Sequence, residues 1–233
     1  MAKLVLAAGV PHPPRLVFEM QQAPGKVKGE ALMKQVREQV EKAEPDVIIE
    51  VDSDHFVNFF YNNLPSFCIG MAEEAQGPQE DWCPMPRYTV RGHVPLAKAL
   101  FKYGVNDKFD LAAAHELRLD HSLTVPLHFL NPGMRLPVVP IYTNGFASPL
   151  PLATRCVALG RMVRRFIDAW EGKERIALIA SGCFAMTKCV FAVGKDLLAS
   201  GAVLARWTFS KANCLAFKET RIYPPRTGMR KVC

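Results

Sequence analysis

The chain has 233 residues, 49% of them hydrophobic and 22% charged, with a formal net charge of +7. That length supports one large domain or two small ones around a core that needs neither disulfides nor a structural metal, and the composition excludes a disordered or collagen-like chain. No run of eighteen apolar residues occurs, which argues against a membrane protein, and residues 1–14 hold too short an apolar stretch for a secretory signal, so the cytoplasm is the expected compartment.

In chain order, residues 3–9 (KLVLAAG) form a short apolar run ending in Gly, consistent with a buried strand. Residues 26–43 read as a helix, because Leu32, Val36 and Val40 recur every four residues among charged neighbours and Pro45 closes the segment. Strand-length runs follow at 46–52 (DVIIEVD) and 66–71 (SFCIGM). A short helix is expected over 95–103, with Gly104 just past its end. Further strands are expected at 108–115 and 136–143, and the two prolines of the latter suggest an edge or irregular strand. Residues 152–170 are amphipathic, with Leu159, Val163, Phe166 and Trp170 on one helical face, and 174–181 (ERIALIAS) is the last clean strand. Such alternation implies an α/β sandwich with a mainly parallel central sheet and helices on both faces. In such folds ligands bind beyond the carboxyl ends of the strands.

Histidines stand at several of those ends. His12 follows the first strand, His55 the second, and His115 and His121 the strand near 110. Histidine is both the commonest metal ligand and the usual acid–base residue near neutral pH, so position alone leaves the choice open. Asp52 and Asp54 flank His55 and could act as an acid–base pair, but such residues more often orient an imidazole or cap a turn. The aromatic run at 58–61 suits either an aromatic ligand or core packing. Ser181-Gly182 lacks the second glycine of a nucleophile elbow. No phosphate loop or dinucleotide fingerprint is present, and no C-x-x-C pair signals zinc.

The His12 loop, DHFVNFFYNNLPSFCIG (54–70), LDHSLTVPLHFL (119–130) and PVVPIYTNGFASPLP (137–151) together resemble the class III extradiol ring-cleavage dioxygenases, the family of the catalytic subunit of protocatechuate 4,5-dioxygenase. The resemblance spans about residues 1–182. It implies non-haem Fe(II) as cofactor, a catecholic small molecule and O2 as the partners, and a homo-oligomer. It also implies meta cleavage of the ring with insertion of both oxygen atoms. By the same resemblance His12 and His55 are metal ligands, and His121 is a catalytic histidine beside substrate and oxygen. Two imidazoles and a carboxylate suit a ferrous ion with open positions, and a neighbouring imidazole can move protons during ring opening.

The chain also departs from the family pattern. After the strand ending near Ser181 the family continues with a histidine that serves as catalytic base, where this chain has Met186, and a thioether takes no proton from a catechol. The third metal ligand has no assigned counterpart, since Glu219 is the one glutamate beyond Gly182 and stands in an unmatched context. Residues 183–233 hold nine Lys or Arg and two acids, while 1–182 are electrically balanced. These observations divide the chain into a dioxygenase-like domain (1–182) and a basic C-terminal segment (183–233) of shifted-frame or replaced character. A helix or two within 184–209 is expected, interrupted by Gly194 and Gly201. On this reading only His12 and His55 are inherited as ligands and iron binding is weak. The alternative to an active enzyme is a non-catalytic or weakly metal-binding remnant. Nucleic-acid binding through the basic segment is the least favoured reading.

Overall fold

The computed structural model describes residues 1–182 and two strands at 203–210 and 213–222. Six strands form the sheet of residues 1–182: β1 (Lys3–Val10), β2 (Val47–Asp52), β3 (Phe67–Gly70), β6 (Ala112–Ala114), β7 (Val138–Thr143) and β8 (Arg175–Ser181). β9 (Val203–Ser210) and β10 (Asn213–Ile222) extend its edge, giving the order β10-β9-β1-β8-β2-β7-β3-β6. Of the helix expected within 184–209, the described part is therefore a strand, consistent with the Val, Trp, Thr and Phe of VLARWTFS. No helix of the described residues is long and apolar enough to cross a membrane.

Alternation along β2 explains the two layers. Val47, Ile49 and Val51 face one core with Leu96, Leu100, Leu159 and Val163. These last four come from α3 (Val94–Asn106) and α5 (Ala153–Ala169). Ile48 faces the other core with Leu16, Val36, Val40, Leu123 and Leu127, supplied by α1 (Pro14–Gln22), α2 (Lys28–Ala43) and α4 (His121–Leu130). Helices thus cover both faces of the sheet, whose strands are mostly parallel. A hairpin of β4 (Glu74–Gly77) and β5 (Tyr88–Arg91) lies outside it.

Three expectations are corrected. β7 is interior, between β2 and β3, although it contains Pro140. Its antiparallel ladder to β3 ends at Ile141, so the proline sits where that pairing stops. Gly104 lies within α3, which runs on to Asn106. A Cβ there would come 2.4 Å from the Leu111 side chain, so this glycine permits close packing and ends no helix. His115 is exposed and apart from the other histidines. The reason is topological. β3 runs antiparallel to β7, and β6 runs parallel to β3, so the carboxyl end of β6 lies at the opposite pole from those of β1, β2 and β8. The chain must cross back before α4 begins.

Two helices have no counterpart among the sequence expectations. α1 begins at Pro14, directly after Pro13, and in that first turn a missing N–H costs nothing. α4 carries Pro126 in its interior, a residue that normally argues against a helix.

Candidate metal centre

The carboxyl ends of β1 and β2 deliver His12 and His55 to one pole, and the first turn of α4 delivers His121. Their ring centroids are separated by 5.3 Å (His12–His55), 5.6 Å (His12–His121) and 4.2 Å (His55–His121). One ring nitrogen from each lies within 4.8 Å of the other two. His12 and His121 are buried and His55 is half-buried.

Hydrogen bonding identifies which nitrogen faces inward. His55 Nδ1 lies 2.9 Å from Asp120 Oδ2, which also accepts the His55 backbone N–H at 2.8 Å. His121 Nδ1 lies 2.7 Å from Glu80 Oε1. The same Glu80 carboxylate accepts the His121 backbone N–H at the N-terminus of α4, where the helix dipole favours negative charge. His12 Nδ1 lies 2.7 Å from Ser181 Oγ. Ser181 Oγ spends its own proton on the Ser122 carbonyl, 2.6 Å away, so at His12 the serine accepts and the imidazole donates. Each ring thus carries its proton on Nδ1 and keeps the Nε2 lone pair, the arrangement typical of metal-ligating histidines.

The Ser122 carbonyl is available because of Pro126. A helical residue at 126 would donate its N–H to the carbonyl four residues back, but proline has none. The vacant acceptor takes the Ser181 hydroxyl and so fixes the tautomer of His12 across the sheet. The proline that disguises α4 in the sequence is what connects it to the first histidine.

Beneath the rings is a buried acidic network. Ser122 Oγ lies 2.5 Å from Asp120 Oδ1 and 2.6 Å from Asp52 Oδ2. A hydroxyl has one proton to give, so one carboxyl must supply the other. Burial, and then the charge of Asp120, push Asp52 well above the usual carboxylate range, making it the protonated partner. Burial works to raise Asp120 too, but the His55 hydrogen bond and charge, with Ser122, hold it below its ordinary value as the ionised partner. Glu50, on the same face of β2, is fully buried, and its carboxyl oxygens have no hydrogen-bond partner. Burial, and then Asp52 and Asp120, raise it well above its ordinary value. His12 is lowered to about 3, first by burial and then by His55 and His121, so it is a neutral imidazole near pH 7.

Asp54 caps the turn that follows His55, accepting the backbone N–H groups of Val57, Asn58 and Phe59. The aromatic run divides: Phe59 packs edge-on against Tyr142, while Phe60 and Tyr61 are exposed. An open groove of about 590 Å³ reaches His121, lined by Arg15 and Phe18 of α1 and by Trp82. The Trp82 ring stands 5.3 Å from that of His121. Sequence reasoning missed Glu80, Ser181, Glu50 and Trp82 as members of this site. Ser181 alone had a local signal, standing at the carboxyl end of a strand. Met186 lies outside the described residues, and Glu219 is described only as part of β10.

The donor set fits a first-row divalent metal such as iron: neutral imidazoles with free lone pairs, each fixed by an oxygen behind it. Residues 6–185 match the family described as the catalytic LigB subunit of aromatic ring-opening dioxygenase. Two similar proteins are named 2,3-dihydroxyphenylpropionate/2,3-dihydroxicinnamic acid 1,2-dioxygenase. The one from Klebsiella pneumoniae (strain 342) is 32% identical over 151 residues, covering 63% of this chain and 45% of the relative. That from Photorhabdus laumondii is 34% identical over 158 residues, covering 65% and 46%. The chain therefore matches less than half the length of these relatives. The family match takes in all three histidines and Ser181, and by it this chain belongs to the family of the catalytic LigB subunit of aromatic ring-opening dioxygenases.

Proposed function

We propose that the chain is a cytoplasmic, non-haem Fe(II)-dependent extradiol dioxygenase that opens a catecholic ring beside its diol and inserts both atoms of O2. The observation that carries this reading is the convergence of three imidazoles, each with an unspent Nε2 lone pair, one of which, His121, is reached by an aromatic-lined groove. His12 and His55 would hold the iron, and His121 would move protons beside the substrate. When bound, Fe(II) supplies the electronic link between catecholate and O2 that spin and charge otherwise deny them.

The remaining chemistry belongs to the side chains. Phe18 and Trp82 offer apolar and π surface to an aromatic ring entering the groove. His121 can accept a hydroxyl proton at Nε2, because Glu80 behind Nδ1 stabilises the imidazolium that results. Ser181 and Asp120 keep the other two rings from turning.

A second reading, a non-catalytic or weakly metal-binding remnant, is favoured by one observation: Met186 stands where the resembled family has its base. Oxygen uptake separates the two. Folded chain loaded with Fe(II) and offered a panel of catechols, starting with 2,3-dihydroxyphenylpropionate, is expected to consume O2 and release a yellow ring-opened product. No uptake with any catechol, in protein shown to carry iron, would favour the remnant.

A further inference from the structure

On the reading of this pole as a catechol-opening centre, we infer that the adjoining groove is a subsite for a second aromatic ring. The chain then selects catechols that carry an uncharged aryl substituent over those that carry a short carboxylate chain.

A catechol held at the inward-facing nitrogens occupies the histidine cluster, and of the three histidines only His121 lines the groove. What the groove receives is therefore the substituent. Its volume of about 590 Å³ falls within the range of about 300–1,000 Å³ typical of sites for ligands larger than one ring. Among the described residues of the lining, Arg15, Phe18, Glu19 and Gln22 recur at three- and four-residue spacing along α1 and so share a face about 10 Å long. Leu16 and Val17 turn into the core instead. Trp82 joins the lining from the loop between β4 and β5, its ring 5.3 Å from that of His121. Trp82 is 57% exposed and Phe18 41%. Two large apolar side chains left open along one groove suit an incoming ring.

The groove is set before a ligand arrives. Glu80, two residues before Trp82, is held to His121 through ring and backbone. Two residues after Trp82, the Pro84 carbonyl accepts from the Gln21 side chain of α1 at 2.6 Å. Trp82 is thus tied to the histidine cluster on one side and to α1 on the other, which lowers the cost of ordering on binding. Charge decides between substituents. Arg15 Nε donates to Glu19 Oε1 at 2.6 Å, so the arginine and the glutamate of the lining are paired with each other. A carboxylate brought here meets both charges, which largely cancel. An uncharged ring disturbs neither and gains the apolar surface of Phe18 and Trp82.

The test is anaerobic calorimetric titration of the full-length chain in the presence of Fe(II), with catechol, 3-phenylcatechol, 4-phenylcatechol and 2,3-dihydroxyphenylpropionate. The better of the two phenylcatechols is expected to bind about 10-fold tighter than catechol, and tighter than the phenylpropionate. Trp82→Ala and Phe18→Ala, both at exposed positions, are expected to bring the ratio of phenylcatechol to catechol affinity down towards one. Equal or weaker binding of both phenylcatechols relative to catechol would overturn the proposal, as would an aryl preference that survives both substitutions. Tighter binding of the phenylpropionate would overturn it too, and loss of that preference in Arg15→Gln would mark a carboxylate subsite instead. Binding is read without turnover, so the outcome is separate from that of oxygen uptake. An aryl preference without ring cleavage supports the subsite and counts against the enzymatic reading, whereas ring cleavage without an aryl preference does the reverse.

Discussion

Asp120→Ala is expected to cost the folded chain about 3–5 kcal/mol and to weaken metal binding by about 10- to 100-fold. Asp120 is fully buried and accepts the His55 backbone N–H, the His55 ring N–H and the Ser122 hydroxyl. Its removal strands the two His55 donors, and the ring is then free to turn its lone pair away from the other two histidines. Asp120→Asn should be much milder in stability, because the amide oxygen still accepts from His55. Ser122 can then turn its hydroxyl to Asp52, 2.6 Å away. Loss of the negative charge also relieves the repulsion that helps to raise Glu50 and Asp52. Urea denaturation and competitive metal titration of both variants check this. Equal destabilisation by alanine and asparagine would mean that the carboxylate charge, and not the acceptor geometry, supports His55.

Glu50→Gln is expected to stabilise the chain progressively as pH rises. Burial, followed by the charges of Asp52 and Asp120, holds the folded Glu50 well above its ordinary value, so it stays protonated while the unfolded chain loses that proton. Between the two values the folded state holds the extra proton, and stability falls with rising pH by about 1.4 kcal/mol per unit. Below the unfolded value the glutamine and glutamate chains should be equally stable. Above it the variant should gain steadily until the folded Glu50 itself titrates. Asp52 contributes in the same direction but is present in both chains, so the difference between them isolates Glu50. Thermal unfolding from pH 4 to pH 8 reads the effect, and parallel curves would show that Glu50 loses its proton in the folded chain as readily as in the unfolded one, its buried charge being met by a partner.

Periodicity was a good guide wherever an element's contacts are to the main core. The runs at 46–52 and 174–181 become β2 and β8, and the amphipathic stretch at 152–170 becomes α5, within a residue at either end. It failed where a residue does two jobs. Pro126 is unfavourable to a helix by its own chemistry, yet α4 survives it because Leu123, Leu127 and Leu130 are buried against the sheet. Direction was equally hidden. Nothing in SFCIGM or KFDLAAAH records that these two strands run opposite to β1, β2, β7 and β8, and that reversal is what removes His115 from the site. His12, His55 and His121 were legible through their places after strands and through family resemblance. Glu80 was not, because it acts across 41 residues from a segment without regular pattern. Glu50 was concealed inside an apolar run, where a single carboxylate reads as an exception and not as part of a network.

The claim on which the rest depends is that His12 and His55 hold a metal at this pole. Anaerobic equilibrium dialysis of the full-length chain against Fe(II) tests it most directly, with His12→Ala and His55→Ala measured alongside and the fold of each followed by circular dichroism. The wild-type chain is expected to retain one iron per chain, and each variant to lose it while keeping its secondary structure. Absence of iron from the wild-type chain, or its full retention by both folded variants, would contradict the assignment.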